Sequence, residues 1–375
     1  MKFNIEQSKF LEGVKTVKSV VQDNSTSEIL KCILLDAQKD ENGQGRLIFR
    51  GTDAEMTINH VVDCDVDEPG RVTIRGSYLL AMTQNLPSGV MVEFDCSNGI
   101  KGSISAESVY YNISCGDAQA FPDFPNIVDS NVFEVDLKVL KEMFRKTVFA
   151  VGVDDSRRVL RGVLMRFENN KLLMVATNGR RLAMIEKCME WTVEECLDMI
   201  VPQRTVMEIM RTQSTEQTVK IELKGSQASF TIGKTSLFTR LIDGVYPNYN
   251  AVIPQDNNFK IQVPRERFMK ALTRANVMTI EEKNSVKLEF NDNLMAISAV
   301  AGDQGSARDE VPIKYIGNQI EMIFNPDYLM DVLKALDDDD IVFEIKDGLT
   351  SAIIRCATPD IPFIYVIMPL RPTTM

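Results

Sequence analysis

The chain has 375 residues, more than a single ordinary core holds, and its composition of 44% hydrophobic and 25% charged residues is typical of a soluble globular protein. No apolar run reaches the roughly 20 residues that a membrane span requires, and residues 1–6 lack the basic and apolar regions of a signal peptide. The formal net charge of −11 argues against wrapping by nucleic acid unless positive charge is segregated onto one surface.

Each third of the chain opens with the same predicted unit, a short strand that runs into a helix. The strands begin at Phe3, Phe133 and Phe259, and the predicted helices span residues 8–20, 136–148 and 264–275. Apolar residues in each helical segment recur every three or four positions, which is the spacing of one helix face. Asp136 is suited to the N-cap of the second helix, and Pro264 to the first turn of the third.

A second strand–helix unit follows within each third. Its helices are predicted over residues 75–85, 203–211 and 326–336. The last of these has Asn325 as a cap and Pro326 in its first turn. Alternating segments such as residues 218–223 come after these helices and predict antiparallel strands.

The aromatic–proline segments Phe121–Pro125 and Tyr246–Tyr249 mark the ends of the first two repeats. One interpretation is three unrelated α+β domains that share common strand–helix patterns. The ordered recurrence favours an α+β protein of three tandem alike domains, each with two helices packed on antiparallel sheets, at residues 1–127, 128–254 and 255–375. Alike domains joined by short linkers repeat nearly the same rotation, so such an array either closes into a ring or continues as a spiral.

Positive charge is concentrated in the predicted helices. The six helical segments carry a formal charge of +8, which leaves −19 on the rest of the chain. If the helices line the concave side of the array, that side attracts a polyanion without reading its sequence, because phosphates carry no sequence information. The alternative is that lysine and arginine are simply good helix formers on solvated faces.

No residue pattern supports catalysis or cofactor binding. His60 is the only histidine, and the seven cysteines include no Cys-x-x-Cys pair, so neither a metal site nor acid–base chemistry is predicted. Gly233-Lys234-Thr235 imitates the end of a phosphate-binding loop, but Ala228 stands where that motif requires glycine. Scattered cysteines indicate reduced thiols, so we expect a cytoplasmic protein. Because none of these motifs is complete, we expect no cofactor.

Four segments resemble the bacterial sliding clamp family, the β subunit of DNA polymerase III. They are residues 160–164 (Leu-Arg-Gly-Val-Leu), 175–183 (Val-Ala-Thr-Asn-Gly-Arg-Arg-Leu-Ala), 241–249 (Leu-Ile-Asp-Gly-Val-Tyr-Pro-Asn-Tyr) and 365–371 (Tyr-Val-Ile-Met-Pro-Leu-Arg). The resemblance extends over the whole chain. It implies a DNA clamp fold in which two chains join head to tail as a homodimer. The product is a closed six-domain ring around double-stranded DNA, with helices lining the hole.

The resemblance implies a groove for partner peptides between the second and third domains. Its lining residues, carried over by matching segments, are Leu160, Thr177, Gly179, Arg180, Arg181, Leu182, Pro247, Val252, Asn325, Tyr328, Ser351, Val366, Met368, Pro369 and Leu370. An apolar slot with a basic edge suits the leucine and phenylalanine anchors of short linear motifs. The implied partners are the catalytic subunit of the replicative DNA polymerase, the clamp loader, and repair and translesion polymerases.

The resemblance also implies contacts with DNA and with a second chain. The DNA-facing candidates are Lys9, Lys15, Arg75, Lys138, Lys141, Arg145, Arg204, Arg211, Arg265, Lys270 and Arg274. The dimer seam would be formed by Tyr111 and Ile113 of the first domain and by Val277 and Met278 of the third. No membrane partner is expected.

The sequence departs from the family pattern in places. Asn178 and Arg180 stand where the family often has an acid and a histidine, and Ala251 stands where arginine is common, which bears on peptide preference. The loop of residues 22–28 lacks a basic residue that often contacts DNA. The expected function is a non-catalytic processivity factor. The alternatives are a monomeric peptide-binding adaptor that never encircles DNA and an enzyme that uses a carboxylate pair.

Overall fold

The computed structural model describes the whole chain except residues 98, 154–155, 280–283, 358–361 and 372–375. The described residues form six α-helices: α1 Gln7–Lys18, α2 Gly76–Gln84, α3 Leu137–Arg145, α4 Gln203–Arg211, α5 Arg265–Asn276 and α6 Pro326–Ala335. Every helix predicted from the sequence is present, with ends that differ by at most three residues. The largest difference is in α3, because the chain tightens into a 3-10 turn at Val148–Ala150 after the helix ends.

Two of the predicted helix starts are confirmed. The Oδ1 atom of Asp136 accepts hydrogen bonds from the amides of Lys138 and Val139, at 2.9 and 3.0 Å. Asn325 caps α6 in the same way, accepting from the amide of Asp327 at 2.8 Å. The prediction for Pro264 is wrong by one residue. Pro264 is the N-cap residue of α5 with an extended ψ of 110°, because it still pairs with Asp340 in a β-ladder.

The strands of the first third are β1 Lys2–Glu6, β2 Cys32–Lys39, β3 Gly45–Thr52, β4 Met56–Asp63, β5 Asp65–Glu68, β6 Gly70–Arg75, β7 Met91–Asp95, β8 Lys101–Ala106 and β9 Val109–Ser114. Those of the second are β10 Asn131–Asp136, β11 Gly162–Glu168, β12 Lys171–Thr177, β13 Arg181–Cys188, β14 Leu197–Pro202, β15 Thr218–Lys224, β16 Gln227–Ile232 and β17 Thr235–Arg240. Those of the third are β18 Phe259–Pro264, β19 Val286–Asn291, β20 Leu294–Val300, β21 Ser306–Pro312, β22 Ile320–Phe324, β23 Asp340–Ile345, β24 Ala352–Cys356 and β25 Phe363–Ile367.

The three thirds repeat one order of elements: strand, helix, four strands, helix and three strands, with β5 as an extra strand in the first. All paired strands among the described residues are antiparallel. The expected α+β class with three tandem alike domains is therefore confirmed. The domain boundaries at residues 127 and 254 stay a prediction.

The chain divides into two compact units, and the boundary between them runs through the middle third. The first unit comprises Met1–Leu140 with Met207–Leu241, and the second comprises Lys141–Val206 with Ile242–Met375. The first unit has a sheet in the order β5-β1-β7-β8-β9 and another in the order β10-β15-β16-β17-β4-β3-β2-β6. The second unit has sheets in the orders β14-β11-β12-β13-β25-β24-β23-β18 and β21-β20-β19-β22.

Each eight-stranded sheet joins strands from two consecutive thirds. In the first unit β17 of the middle third pairs with β4 of the first third, and in the second unit β25 of the last third pairs with β13 of the middle third. We call these places the β4–β17 junction and the β13–β25 junction. Consecutive thirds are therefore joined by a hydrogen-bonded β-ladder at both places.

Helices pack on the sheets through aromatic side chains. The ring of Phe10 in α1 lies 5.8 Å from that of Phe49 in β3, and the ring of Phe268 in α5 lies 5.8 Å from that of Phe343 in β23. All four side chains are fully buried. Burying each of them contributes about 2–3 kcal/mol relative to exposure, which orients the helices on the sheet faces.

Candidate functional site

The strongest candidate site is a groove at the β13–β25 junction. Leu182 of β13 lies directly opposite Val366 of β25 in the antiparallel ladder, so both side chains project from the same face of the sheet. Both are almost fully buried and belong to an apolar cluster. The two strands therefore supply an apolar floor.

A cavity of about 250 Å³ lies above this floor. It is lined by Thr177, Gly179, Arg180, Arg181, Leu182, Val252, Ser351, Val366 and Met368. All nine belong to the fifteen groove residues expected from the sequence. Met368 is 52% exposed and Val252 is 55% exposed, so the walls of the cavity present apolar surface to solvent.

The loop of residues 177–181 forms one rim of the groove and is held by its own hydrogen bonds. Thr177 Oγ1 donates to the carbonyl of Arg181 at 2.6 Å, and the amide of Gly179 donates to Thr177 Oγ1 at 3.0 Å. Asn178 Oδ1 accepts from the amides of Arg180 and Arg181, at 3.0 and 3.1 Å. These bonds fix the loop, so the groove is formed before a ligand arrives.

Gly179 adopts a φ of +82°, a conformation that favours glycine. A Cβ atom at this position would lie 2.7 Å from Nη2 of Arg157, which lies against the loop. Arg157 and Arg180 are both exposed and give the rim of the groove a basic character.

Arg181, one of the residues that line the cavity, also contacts helix α6 and Phe149 through its guanidinium. Its guanidinium lies 4.3 Å from the ring centroid of Tyr328 and 5.6 Å from that of Phe149. Nη1 donates to Asp331 Oδ2 at 2.6 Å, and Nη2 donates to the carbonyl of Phe149. The side chain is 8% exposed, so its main role is to connect the rim to α6.

The six remaining predicted groove residues are not among those that line the cavity; they are Leu160, Pro247, Asn325, Tyr328, Pro369 and Leu370. Leu160 is buried in the apolar cluster under the floor. The amide of Leu370 donates to the carbonyl of Ile323 at 2.7 Å, and that of Met368 to the carbonyl of Arg180 at 3.0 Å. These two bonds hold the segment after β25 along the groove.

Sequence reasoning missed four residues that shape the groove: Arg157, Tyr246, Tyr249 and Asp331. Tyr246 and Tyr249 lie in the cluster under the floor, and the Tyr246 hydroxyl accepts from the amide of Thr177 at 3.1 Å. Burial raises the pKa of Tyr246 well above its usual range. Both tyrosines lie in the family-like segment of residues 241–249, but the predicted groove included only Pro247 from that segment.

The predicted DNA-facing residues differ in how firmly the protein already holds them. Lys9, Lys15, Arg75 and Lys138 are exposed, while Lys141 and Arg204 are half-buried. Ion pairs join Arg145 to Asp337 at 2.9 Å, Arg211 to Glu208 at 2.9 Å, Lys270 to Glu266 at 2.6 Å and Arg274 to Asp309 at 2.5 Å. Arg265 donates to the carbonyls of Asp338 and Leu333, at 2.6 and 3.0 Å, which ties it into the fold.

The predicted seam residues lie at sheet edges and a helix end. Tyr111 and Ile113 belong to β9, the outermost strand of its sheet. Val277 and Met278 directly follow α5, and Val277 is 78% exposed. β21 is likewise an outermost strand in the third part of the chain.

In the described part of the chain, no helix is long and apolar enough to span a membrane. Over the same residues, no group of three or more histidine, cysteine, aspartate or glutamate side chains could hold a metal ion.

Three family models match the chain in succession. They describe the N-terminal domain of the DNA polymerase III beta subunit over residues 1–126, its central domain over residues 134–248 and its C-terminal domain over residues 250–371. The beta sliding clamp of Chlamydia muridarum is 29% identical over 371 residues, which make up 99% of each chain. That of Pseudomonas aeruginosa is 29% identical over 374 residues, 99% of this chain and 100% of its own.

Solved structures agree with these matches. A crystal structure of the DNA polymerase sliding clamp of Pseudomonas aeruginosa with a ligand has a TM-score of 0.92 and 27% identity, covering 99% of this chain and 100% of that one. The DNA polymerase sliding clamp of Bacillus subtilis has a TM-score of 0.93 and 26% identity, covering 99% of each chain.

Proposed function

This chain belongs to the DNA polymerase III beta subunit family, the sliding clamps, and from that premise we propose that two copies close head to tail into a ring around duplex DNA. The chain is a processivity factor and not an enzyme. It acts by keeping the replicative polymerase and other DNA-processing proteins on their template.

One observation carries the ring proposal, namely the repeated way in which consecutive thirds share a sheet. The last strand of the second third pairs with β4, and the last strand of the final third pairs with β13. By the same rule, the last strand of the first third, β9, would pair with β21. Both are outermost strands among those described. A second copy can provide each missing neighbour, and two such junctions close the assembly.

The repeat also specifies the register of the new junction. Tyr111 is the third residue of β9, as Leu237 is of β17, and Leu237 pairs with Ile58. Leu47 of β3 and Leu294 of β20 are equivalent positions of the repeat. Ile58 pairs with Gly51, four residues after Leu47, and Arg308 pairs with Ser298, four residues after Leu294. Arg308 is therefore the counterpart of Ile58. Tyr111 would therefore lie opposite Arg308 of the partner subunit.

The contact with DNA would be made by basic side chains on the helices and their flanks. Lys9, Lys15, Arg75 and Lys138 are the best candidates because they are exposed, whereas the equally exposed Arg211, Lys270 and Arg274 are held in ion pairs. Contacts with phosphate carry no sequence information, so the ring can slide. A closed ring needs no tight binding, because topology prevents its escape.

The groove at the β13–β25 junction is the proposed site for partner peptides. Its half-exposed Met368 and Val252 would accept leucine and phenylalanine anchors, and the flexible methionine adapts to different partners.

The partners would be the polymerase catalytic subunit, the clamp loader that opens the ring, and repair and translesion polymerases. Tethering makes polymerase rebinding intramolecular, which raises its effective concentration. We place this activity in the cytoplasm.

Light scattering and a topology assay test the ring together. We expect a dimer of twice 42.2 kDa that, once loaded, remains on nicked circular DNA and leaves the same DNA after linearisation. Equal retention on the two substrates would contradict encirclement. A monomer with intact peptide binding would instead favour the adaptor alternative, which the family relationship does not support.

A further inference from the structure

The loop that forms the rim of the groove occurs a second time, at residues 52–56. Four hydrogen bonds are common to the two loops. Thr52 Oγ1 donates to the carbonyl of Met56 at 3.0 Å and accepts from the amide of Ala54 at 3.1 Å. Asp53 Oδ1 accepts from the amides of Glu55 and Met56, at 3.0 and 2.7 Å. Ala54 even adopts the left-handed φ of its counterpart Gly179, at +77°. Alanine rarely does so, which indicates that the frame imposes this conformation.

The strands around this second loop also match those of the groove. Thr57 lies opposite Phe238 at the β4–β17 junction, as Leu182 lies opposite Val366 at the other. The amide of Arg240 donates to the carbonyl of Glu55 at 3.0 Å, the counterpart of the bond from Met368 to Arg180. The backbone frame of a groove is therefore built twice.

The two junctions differ in what lies on the floor. At the β4–β17 junction the ring of Phe124 packs edge-on against Phe238, with centroids 6.4 Å apart. The guanidinium of Arg50 lies 5.9 Å from the Phe124 centroid, and its Nη1 donates to the carbonyl of Pro122 at 3.3 Å. These contacts hold the ring of Phe124 against Phe238, the counterpart of the floor residue Val366.

The corresponding segment at the other junction follows a different course. Tyr246 and Tyr249 have the same spacing as Phe121 and Phe124. However, the hydroxyl of Tyr249 accepts a hydrogen bond from Arg166 at 3.0 Å, and its ring lies 5.7 Å from that guanidinium. Tyr249 is thereby held in the cluster under the floor, and the cavity above Val366 stays open.

We propose that the β4–β17 junction is a second peptide groove whose occupant is Phe124 of this chain itself. The inference rests on the proposed peptide-binding role of the β13–β25 groove. Phe124 takes the place of the aromatic anchor of a partner peptide, so each protomer offers one open groove instead of two. This explains why the frame occurs at both junctions while only the groove at the β13–β25 junction is open.

The floor of the second groove is more polar than that of the open groove. Thr57 and Arg240 stand where the open groove has the apolar Leu182 and Met368. A tethered phenylalanine needs little affinity, because its effective concentration is high. Opened by substitution, the second groove would bind the same peptides more weakly than the first.

Photo-crosslinking tests the inference on the intact dimer. The probe is a synthetic peptide with leucine and phenylalanine anchors, in which benzoylphenylalanine replaces the phenylalanine. With the wild-type protein we expect adducts only around the open groove, on residues 177–182, 252, 351 and 363–370. With Phe124→Ala we expect additional adducts on residues 52–57 and 235–240, and twice as much peptide bound at saturation. Phe124→Tyr keeps a ring over the floor and should behave like the wild type.

The possible outcomes separate this inference from the proposed function. If the wild type gives no adduct on residues 177–182, 252, 351 or 363–370, peptide binding by the open groove is wrong. If Phe124→Ala gives those adducts but none on residues 52–57 or 235–240 at millimolar peptide, the second groove is wrong. The adducts on residues 363–370 also report that the Phe124→Ala variant is folded.

Discussion

The guanidinium of Arg181 lies 4.3 Å from the ring centroid of Tyr328, and the two residues together fix the rim of the groove to helix α6. Arg181 also donates to Asp331 on the same helix at 2.6 Å. The loop of residues 177–181 is thus supported by helix α6. The two residues joined by this bond are 150 positions apart in the sequence. Peptide affinity should therefore depend on the contacts that the guanidinium of Arg181 makes with Tyr328 and Asp331.

The first prediction concerns this support. Arg181→Lys keeps the charge but loses the planar stacking and the paired donors, so we expect the free energy of unfolding to fall by about 2 kcal/mol. Peptide affinity should fall as well, because the rim is no longer pinned. Urea denaturation and fluorescence anisotropy measure the two effects. Arg180→Lys, on the exposed neighbour, is the matched control for stability and should change it by less than about 0.5 kcal/mol. Equal stability of the two variants would contradict a supporting role for Arg181.

The second prediction concerns the walls of the groove. Met368 is 52% exposed, so Met368→Glu should leave the fold intact while placing a charge where an apolar anchor binds. We expect peptide affinity to fall at least about 30-fold, which corresponds to about 2 kcal/mol. Leu182 is a poorer test because it is 2% exposed, and a buried charge there would unfold the protein. Ile316→Glu, at another exposed apolar residue of the second unit, is the control and should bind the peptide normally.

The third prediction tests the register of the proposed seam. Cysteines at two positions directly opposite in an antiparallel ladder lie within disulfide distance. After Cys188 and Cys196, the two exposed native cysteines, are exchanged for serine, Tyr111→Cys with Arg308→Cys should give a covalent dimer on oxidation. Tyr110→Cys with Arg308→Cys presents its thiols on opposite faces of the sheet and serves as the control. Preferential cross-linking of the control pair would show that the register is shifted by one residue.

The fourth prediction concerns pH. Burial lowers the pKa of His60 below its ordinary value of 6.5, although Glu12, at 4.0 Å from Nε2, opposes the shift. The unfolded chain therefore binds a proton near pH 6.5 that the folded chain does not, and stability falls as the pH decreases below that value. The slope is at most about 1.4 kcal/mol per pH unit for one proton.

His60→Gln removes this linkage. Its urea midpoint should change less than that of the wild type between pH 7 and pH 5.5, at the cost of the 2.9 Å hydrogen bond between His60 Nδ1 and Thr235 Oγ1. Because His60 is the only histidine in the sequence, no other imidazole contributes in this range. An unchanged pH dependence in His60→Gln would show that His60 is not the group responsible.

The helices and their caps follow from short segments of sequence, and so they were predictable. The apolar spacing in residues 203–211 predicts α4 with both ends correct, and Asp136 and Asn325 cap the helices that follow them. Helical hydrogen bonds and caps join residues at most four positions apart, so the local pattern contains the information. The groove residues were predictable in a different way, through motifs that resemble those of a family.

What the sequence by itself determined is the threefold repeat, the two helices in each third and the net positive charge of the helical segments against the net negative charge of the rest of the chain. Only the tertiary structure decided that Arg181 pairs with Asp331, that Tyr249 is held by Arg166 and that Phe124 packs against Phe238. The aromatic linkers have the same spacing, so periodicity cannot distinguish them. Arg166 and Arg50, which hold the two rings, come from strands distant in sequence. Such contacts exist only after the strands have paired, and their geometry is set by that pairing and by packing.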